Sequence, residues 1–260
     1  MSTEIKAYSI ADIHTHILPR FDDGSESSSM SFEMLRKICA QGIASVVLTP
    51  HFYATRDEAD LFVERRDGTA AHLVAKLAEY VDGARAKANM DVTLPSIYLG
   101  AEVAFFNGMS LCSELDMMCI QGTKYLLVEM PFDNWTSAMV QELKMIIKNR
   151  GIIPIIAHIE RYFSLFKTSM LDGMIEEGVM IQSNADAFVK FVTCRRALQM
   201  LESGRIHLIG SDCHNINKRA PNMGDAIEVI EKRLCVDAIE RLCENSKEIL
   251  WGAIPIWNGK

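Results

Sequence analysis

The feature that most constrains this chain is a series of short, almost wholly apolar runs, separated by helical stretches and mostly ending in a polar residue. The runs expected as strands are 8–14, 43–48 (IASVVL), 97–103 (IYLGAEV), 125–130 (YLLVEM), 152–158 (IIPIIAH), 179–183 (VMIQS) and 206–211 (IHLIGS). Strands that are apolar on both faces belong to parallel sheets covered by helices on each side. Helices are expected near 29–41, 57–90, 135–149, 165–177 and 187–203, with others after 222. Gly42 and Gly204 stand where two of them would end. This alternation fits a (β/α) barrel one strand short of the usual eight, or an open doubly wound sheet. The stretch 57–90 reads as one long helix or as one interrupted at Gly68 and Gly83. With 260 residues and no repeat, low-complexity segment or linker, the chain reads as a single domain, 1–260.

The formal net charge of -7 argues against a nucleic-acid binder that relies on a basic surface. It leaves room for a local anion site, because bound divalent cations would reverse the field inside a pocket. The opening MSTEIKAYSIAD lacks a basic segment followed by an apolar run, so no signal peptide is expected. No apolar stretch approaches the roughly 20 residues of a membrane helix, and no membrane insertion is expected. The seven cysteines are scattered, odd in number and without a CxxC pair. That usage suits reduced thiols and a cytoplasmic protein.

The polar residues gather at the strand ends. In DIHTHIL, strand alternation would put Asp12, His14 and His16 on one face. Strand 43–48 runs into Thr49, Pro50 and His51, while 97–103 carries Glu102 and 125–130 carries Glu129. Strand 152–158 ends in His158, and 206–211 is followed by Asp212 and His214. In a barrel these C-terminal ends open on one face, where such folds place their active sites. A carboxylate buried alone in an apolar strand costs several kcal/mol, so Glu102 and Glu129 call for a cation. Mixed imidazole and carboxylate ligands suit Mn²⁺, Fe²⁺ or Zn²⁺. The two histidines elsewhere read differently, His72 as a solvated helix residue and His207 as a hydrogen-bonded packing residue.

With HxH, TPH, GAE, a strand-terminal VE, AHxERY and SDxHN in this order, the chain resembles the PHP (polymerase and histidinol phosphatase) family. It most resembles the bacterial PHP-type tyrosine-protein phosphatases of capsule and exopolysaccharide loci, the CpsB/CapC/YwqE group. The resemblance spans nearly the whole chain and implies a distorted (β/α)7 barrel holding three divalent metal ions, often manganese. It implies one ion on His14, His16, Glu102 and Asp212, and a second on Glu102, Glu129 and His158. A third would sit on Asp23, His51 and His214, with Asp22 the adjacent alternative to Asp23. Arg161 and Arg219 match arginines that the family uses around the substrate phosphate. Asp12 is then read as a support that orients an imidazole, and Asp22 as a turn residue beside Gly24. Ile159 departs from the family's usual proline, and SNADAFVKF replaces a stretch often richer in small residues.

The activity so implied is hydrolysis of phosphotyrosine by a metal-bridged hydroxide, with His51 or His214 able to assist the leaving group. The implied partner is an autophosphorylating bacterial tyrosine kinase that controls capsule or exopolysaccharide synthesis, and a homo-oligomer is compatible with the sequence. Alternatives are a histidinol-phosphate or other small-molecule phosphomonoesterase and a non-catalytic metal-binding protein. A rival chemistry lies in Cys213 to Arg219, CHNINKR, which has the C-x5-R spacing of cysteine-dependent tyrosine phosphatases. Its interior has no glycine, and Asp212 beside the thiol would raise its pKa. Cys213 is therefore expected to be a packing residue.

Overall fold

The computed structural model describes residues 8–88, 93–234 and 236–259. Its strands are β1 (Tyr8–Thr15), β2 (Ile43–Leu48), β3 (His51–Phe52), β4 (Ser96–Leu99), β5 (Glu102–Ala104), β6 (Tyr125–Glu129), β7 (Ile153–Ile156), β8 (Met180–Asn184) and β9 (Leu208–Gly210). Its helices are α1 (Ser28–Ala40), α2 (Ala59–Ala88), α3 (Leu115–Met118), α4 (Ser137–Arg150), α5 (Thr168–Ile175), α6 (Asp186–Val189), α7 (Phe191–Glu202), α8 (Met223–Arg233) and α9 (Val236–Ile249). Ser27 and Thr136 cap α1 and α4 by accepting the N–H of Met30 and Met139. Gly151, at a left-handed φ of 64°, closes α4.

The strands form a curled parallel sheet in an α/β fold. Three of them run in the order β1-β2-β4 and six in the order β3-β5-β6-β7-β8-β9. The two sets meet where β9 runs out beside β1. There Thr15 and Cys213 form a parallel bridge, and Asp212 N–H donates to the His14 carbonyl at 2.8 Å. On the other side β2 leads into β3 and β4 into β5, each across a short break. Pro50 lies in the first break and, having no N–H, cannot continue the ladder. Its carbonyl still accepts from Glu102 N–H at 3.0 Å. The register beyond the break sets His51 opposite Glu102.

Several boundaries differ from the expectation. The strand expected over 97–103 is split at Gly100 and Ala101, facing the Pro50 break. The strand expected over 152–158 stops at Ile156, because His158 takes a left-handed conformation and starts a 3-10 turn, Ile159–Tyr162. The helix expected over 187–203 is divided at Lys190, whose backbone is extended. The stretch 57–90 contains one helix that continues through Gly68 and Gly83; residues 89 and 90 lie outside the described set.

The loop after β1 turns back onto its own strand. Ser25 N–H donates to the His16 carbonyl, and Arg20 N–H to the Ser25 carbonyl. Gly24 sits inside this turn, where an added Cβ would lie 2.2 Å from the His16 carbonyl oxygen and 2.5 Å from its Cβ. Gly24→Ala should therefore force the loop off His16. The expected loss is about 1–3 kcal/mol, the range for overpacking, read as a fall of several degrees in melting temperature.

Candidate metal centre

Glu102, at the start of β5, is the hub of the strand-end residues. Its Oε2 lies 3.2 Å from His14 Nε2, 3.3 Å from His16 Nε2 and 3.0 Å from His51 Nδ1. Its Oε1 lies 2.9 Å from His158 Nε2, which is also 3.5 Å from Glu129. Asp212 Oδ1 is 3.6 Å from His14 Nε2 and 3.5 Å from His16 Nε2. Asp23 Oδ1 reaches His51 at 3.5 Å and His214 at 3.3 Å. The structure thus brings together the side chains named above as candidate ligands. Seven of the nine fall into three overlapping sets, each with ligand atoms within 4.8 Å of one another: His14, His16 and Glu102; His51, Glu102 and Glu129; and His16, Asp23, His51 and His214. His158 and Asp212 stand outside these sets and adjoin them through Glu102 and through His14 and His16. His16 and His51 each belong to two sets, a sharing that strand-end placement does not predict.

The donor atoms fit divalent cations. His14 Nε2 and His16 Nε2 stand 3.2 Å apart, so both cannot point an N–H along that line. Glu102 Oε2, His51 Nδ1 and His214 Nε2 are buried and accept or donate no hydrogen bond. Unpaired polar atoms are costly in an interior, and here they converge on one space. The electrostatics agree. Burial opposes charge on His16, but Asp22 and Glu102 outweigh it and push the imidazole up to about 10. Burial likewise opposes the charge on Glu102, and His14 and its fellow imidazoles hold that carboxyl well below its usual range. His214 goes the other way, lowered to about 4 by burial and then by His16. Carboxylates that draw protons onto nearby imidazoles would also favour a cation on the same lone pairs.

Asp22 keeps the turn role expected of it, its Oδ1 accepting the Gly24 N–H at 3.0 Å, and adds the imidazole-orienting role expected of Asp12. The register of β1 against β2 slips between Asp12 and Thr15. Such a bulge interrupts the alternation along β1. Asp12 Oδ1 instead accepts the Ser211 N–H at 2.8 Å. Asp22 is the carboxylate that orients an imidazole: its Oδ2 is 2.8 Å from His16 Nδ1 and also accepts the His51 N–H at 3.1 Å. Partners behind metal ligands of this kind typically contribute 10–100-fold to affinity. Asp22→Ala should accordingly weaken metal binding by about that factor, measurable by calorimetric titration with Mn²⁺.

Arg161 and Arg219 both close on Asp212, Arg161 through Oδ2 and Arg219 through Oδ1 at 2.6 Å. Both line a cavity of about 590 Å³, together with Glu160, Asn184, Lys190 and Lys218. His158 and Asp212 are non-glycine residues at φ 34° and 51°. Backbone strain of this sort persists where surrounding structure over-determines it, and it clusters at functional sites. Cys213 is wholly buried, and its thiol is pushed well above the usual range by burial and then by Asp12. That position leaves it no access to a phosphoryl group. His72 is exposed on α2, and His207 accepts the Ile181 N–H at 3.1 Å.

A profile of the family described as "Capsular polysaccharide synthesis, CpsB/CapC" matches residues 10–251. Tyrosine-protein phosphatase YwqE of Bacillus subtilis is 29% identical over 245 residues, covering 92% of this chain and 91% of that protein. Tyrosine-protein phosphatase CpsB of Streptococcus pneumoniae is 28% identical over 251 residues, covering 92% and 97%. A solved chain comes from work on YwqE of Bacillus subtilis and CpsB of Streptococcus pneumoniae as unique metal-dependent tyrosine phosphatases. It superposes with a TM-score of 0.78 at 27% identity, over 94% of this chain and 96% of that one.

Proposed function

This chain belongs to the CpsB/CapC capsular polysaccharide synthesis family, and we propose on that premise that it is a metal-dependent protein-tyrosine phosphatase. The observation that carries this reading is the convergence of imidazoles and carboxylates on Glu102 beside two arginines that open onto a cavity. On this reading the curled sheet is a distorted (β/α)7 barrel of the PHP type, and residues 1–260 form one phosphatase domain. Three divalent ions, Mn²⁺ first among them, would be held by His14, His16, Glu102 and Asp212, by Glu102, Glu129 and His158, and by Asp23, His51 and His214. When bound, such ions supply Lewis acidity and bring the pKa of coordinated water near neutrality.

The chain's own residues supply the rest. Arg161 and Arg219 present guanidinium groups beside the ligand cluster, where they would grip the equatorial oxygens of a phosphate and neutralise charge gathered in the transition state. Before a phosphate arrives they rest on Asp212, which keeps both heads aimed at the site. His214, with its lone pair committed to the third ion, would have no proton to give the leaving group. A tyrosyl leaving group, with a phenol pKa of about 10, needs less protonation than an alkoxide. The site is thus suited to aryl over alkyl phosphates.

The physiological substrate proposed is an autophosphorylating bacterial tyrosine kinase acting in capsule or exopolysaccharide synthesis, met in the cytoplasm. No helix among the described residues is long and apolar enough to cross a membrane. The discriminating assay compares a phosphotyrosine peptide with histidinol phosphate, each with and without added Mn²⁺. The reading expects Mn²⁺-dependent turnover of the peptide and poor turnover of histidinol phosphate. The reverse preference would replace it with a small-molecule phosphatase, and metal binding without hydrolysis of either would remove the enzymatic reading.

A further inference from the structure

A buried chain of amides joins two of the metal-site residues from behind. Gln182 and Asn184, both on β8, lie between His14 at the end of β1 and Asp212 after β9. The Gln182 side-chain oxygen accepts the His158 backbone N–H at 2.7 Å and lies 3.3 Å from His14 Nδ1. The Gln182 amide nitrogen donates to the Asn184 side-chain oxygen at 3.0 Å. The Asn184 amide nitrogen in turn donates to Asp212 Oδ2 at 2.8 Å.

The polarity of this chain is set at both ends. A backbone N–H can only donate, so the Gln182 group facing His158 must be its oxygen. A carboxylate accepts, so the Asn184 group facing Asp212 must be its nitrogen. Turning either amide over would set N–H against N–H at His158, or oxygen against oxygen at Asp212. The surroundings leave little room for such a turn. Gln182 is fully buried and Asn184 nearly so. Glu160 accepts the Asn184 backbone N–H at 3.1 Å and the Ser183 hydroxyl at 3.2 Å, pinning this end of β8. On the opposite side, a Cβ at Gly210 would lie 3.1 Å from the Gln182 amide nitrogen and 2.8 Å from His14 Cβ.

We propose that Gln182 and Asn184 are positioning residues whose fixed hydrogen-bond polarity selects the His14 tautomer and holds the Asp212 carboxylate in place for metal binding. The oxygen of Gln182 is committed as an acceptor, so His14 Nδ1 carries the hydrogen and Nε2 keeps its lone pair. That nitrogen is the one facing Glu102 Oε2 at 3.2 Å and Asp212 Oδ1 at 3.6 Å. At the other end, Asp212 Oδ2 receives Asn184 together with Arg161, and Oδ1, which also receives Arg219, lies 3.6 and 3.5 Å from the His14 and His16 Nε2 atoms. One amide chain therefore presets two ligands on opposite sides of the same site before any ion is bound. The inference rests on the reading of His14 and Asp212 as metal ligands.

The test uses the whole protein and two readouts other than turnover: Zn²⁺ and Mn²⁺ affinity by calorimetric titration, and ¹⁵N NMR of the histidine rings in the Zn²⁺-loaded form. In the wild type, His14 should bind Zn²⁺ through Nε2 with Nδ1 protonated. Gln182→Met, similar in shape but without the amide, should weaken the tightest metal step about ten- to hundredfold, the range for partners behind metal ligands. Gln182→Glu keeps acceptors for the His158 N–H and His14 Nδ1 but sets an oxygen against Asn184 Oδ1, so it should keep the His14 assignment while loosening the Asp212 end. Asn184→Ala, at the cavity edge, removes the Asp212 bond and the acceptor of the Gln182 amide nitrogen while sparing the bonds of the Gln182 oxygen, and serves if Gln182→Met does not fold. Coordination of His14 through Nδ1 would overturn the proposal, as would wild-type affinity in a folded Gln182→Met or Asn184→Ala. A wild type that binds no metal would instead remove the metal-centre reading on which the proposal stands.

Discussion

Asp212→Ala is expected to lower kcat/KM for a phosphotyrosine peptide by more than about a hundredfold, while Cys213→Ser stays near wild type. The two residues are neighbours in sequence and differ completely in setting. Asp212 Oδ1 lies 3.6 and 3.5 Å from the His14 and His16 Nε2 atoms and also receives Arg219. Removing the carboxylate would take away one proposed ligand and the anchor of both arginines together. Loss of a mere support behind a ligand costs 10–100-fold, so loss of the ligand itself should exceed that. The Cys213 side chain is sealed beneath this layer, with its N–H donated to the Ser211 hydroxyl and its thiol held protonated by burial. A serine there loses packing but touches no reacting atom. Steady-state kinetics on the two variants, with metal content measured in each, decides the matter. Retained activity in Asp212→Ala with loss in Cys213→Ser would support the cysteine route instead.

The second large effect is expected at the arginines. Arg161→Ala and Arg219→Ala should each lower kcat/KM by about 10²–10³-fold, as for loss of one preorganised donor to a developing anion. Their metal content should hold or rise, because each substitution removes a cation that competes for Asp212. That split between turnover and metal loading separates a phosphate-binding role from a structural one. Lysine should restore little in either position, since it lacks the planar fork that matches phosphate oxygens. Variants that lose metal and turnover in parallel would place these arginines in the architecture of the site, not in phosphate recognition.

Much of this arrangement is legible in the amino-acid sequence, for a physical reason. Charged and imidazole side chains at the ends of otherwise apolar strands are hard to place except at a shared polar site, and that argument locates His14, His51, Glu102, Glu129, His158, Asp212 and His214. What the pattern does not carry is local backbone geometry. Alternation assigns Asp12 to an imidazole, whereas its Oδ1 is taken by the Ser211 N–H. The loop aspartates are readable as a pair, but only the folded turn around Gly24 distinguishes Asp22, against His16 Nδ1, from Asp23, against His51 and His214. Gln182 and Asn184 carry no motif in VMIQS and the residues that follow it, although a glutamine inside a buried apolar strand is a signal that it needs partners. The Pro50 break and the left-handed turns at His158 and Asp212 shorten strands that composition alone draws longer.

The most direct test of the central claim is hydrolysis of a phosphotyrosine peptide before and after exhaustive chelation, followed by return of Mn²⁺. The account predicts loss of activity on chelation and its recovery with the metal, with the protein folded throughout by circular dichroism. Undiminished activity in protein shown by elemental analysis to be metal-free would contradict it.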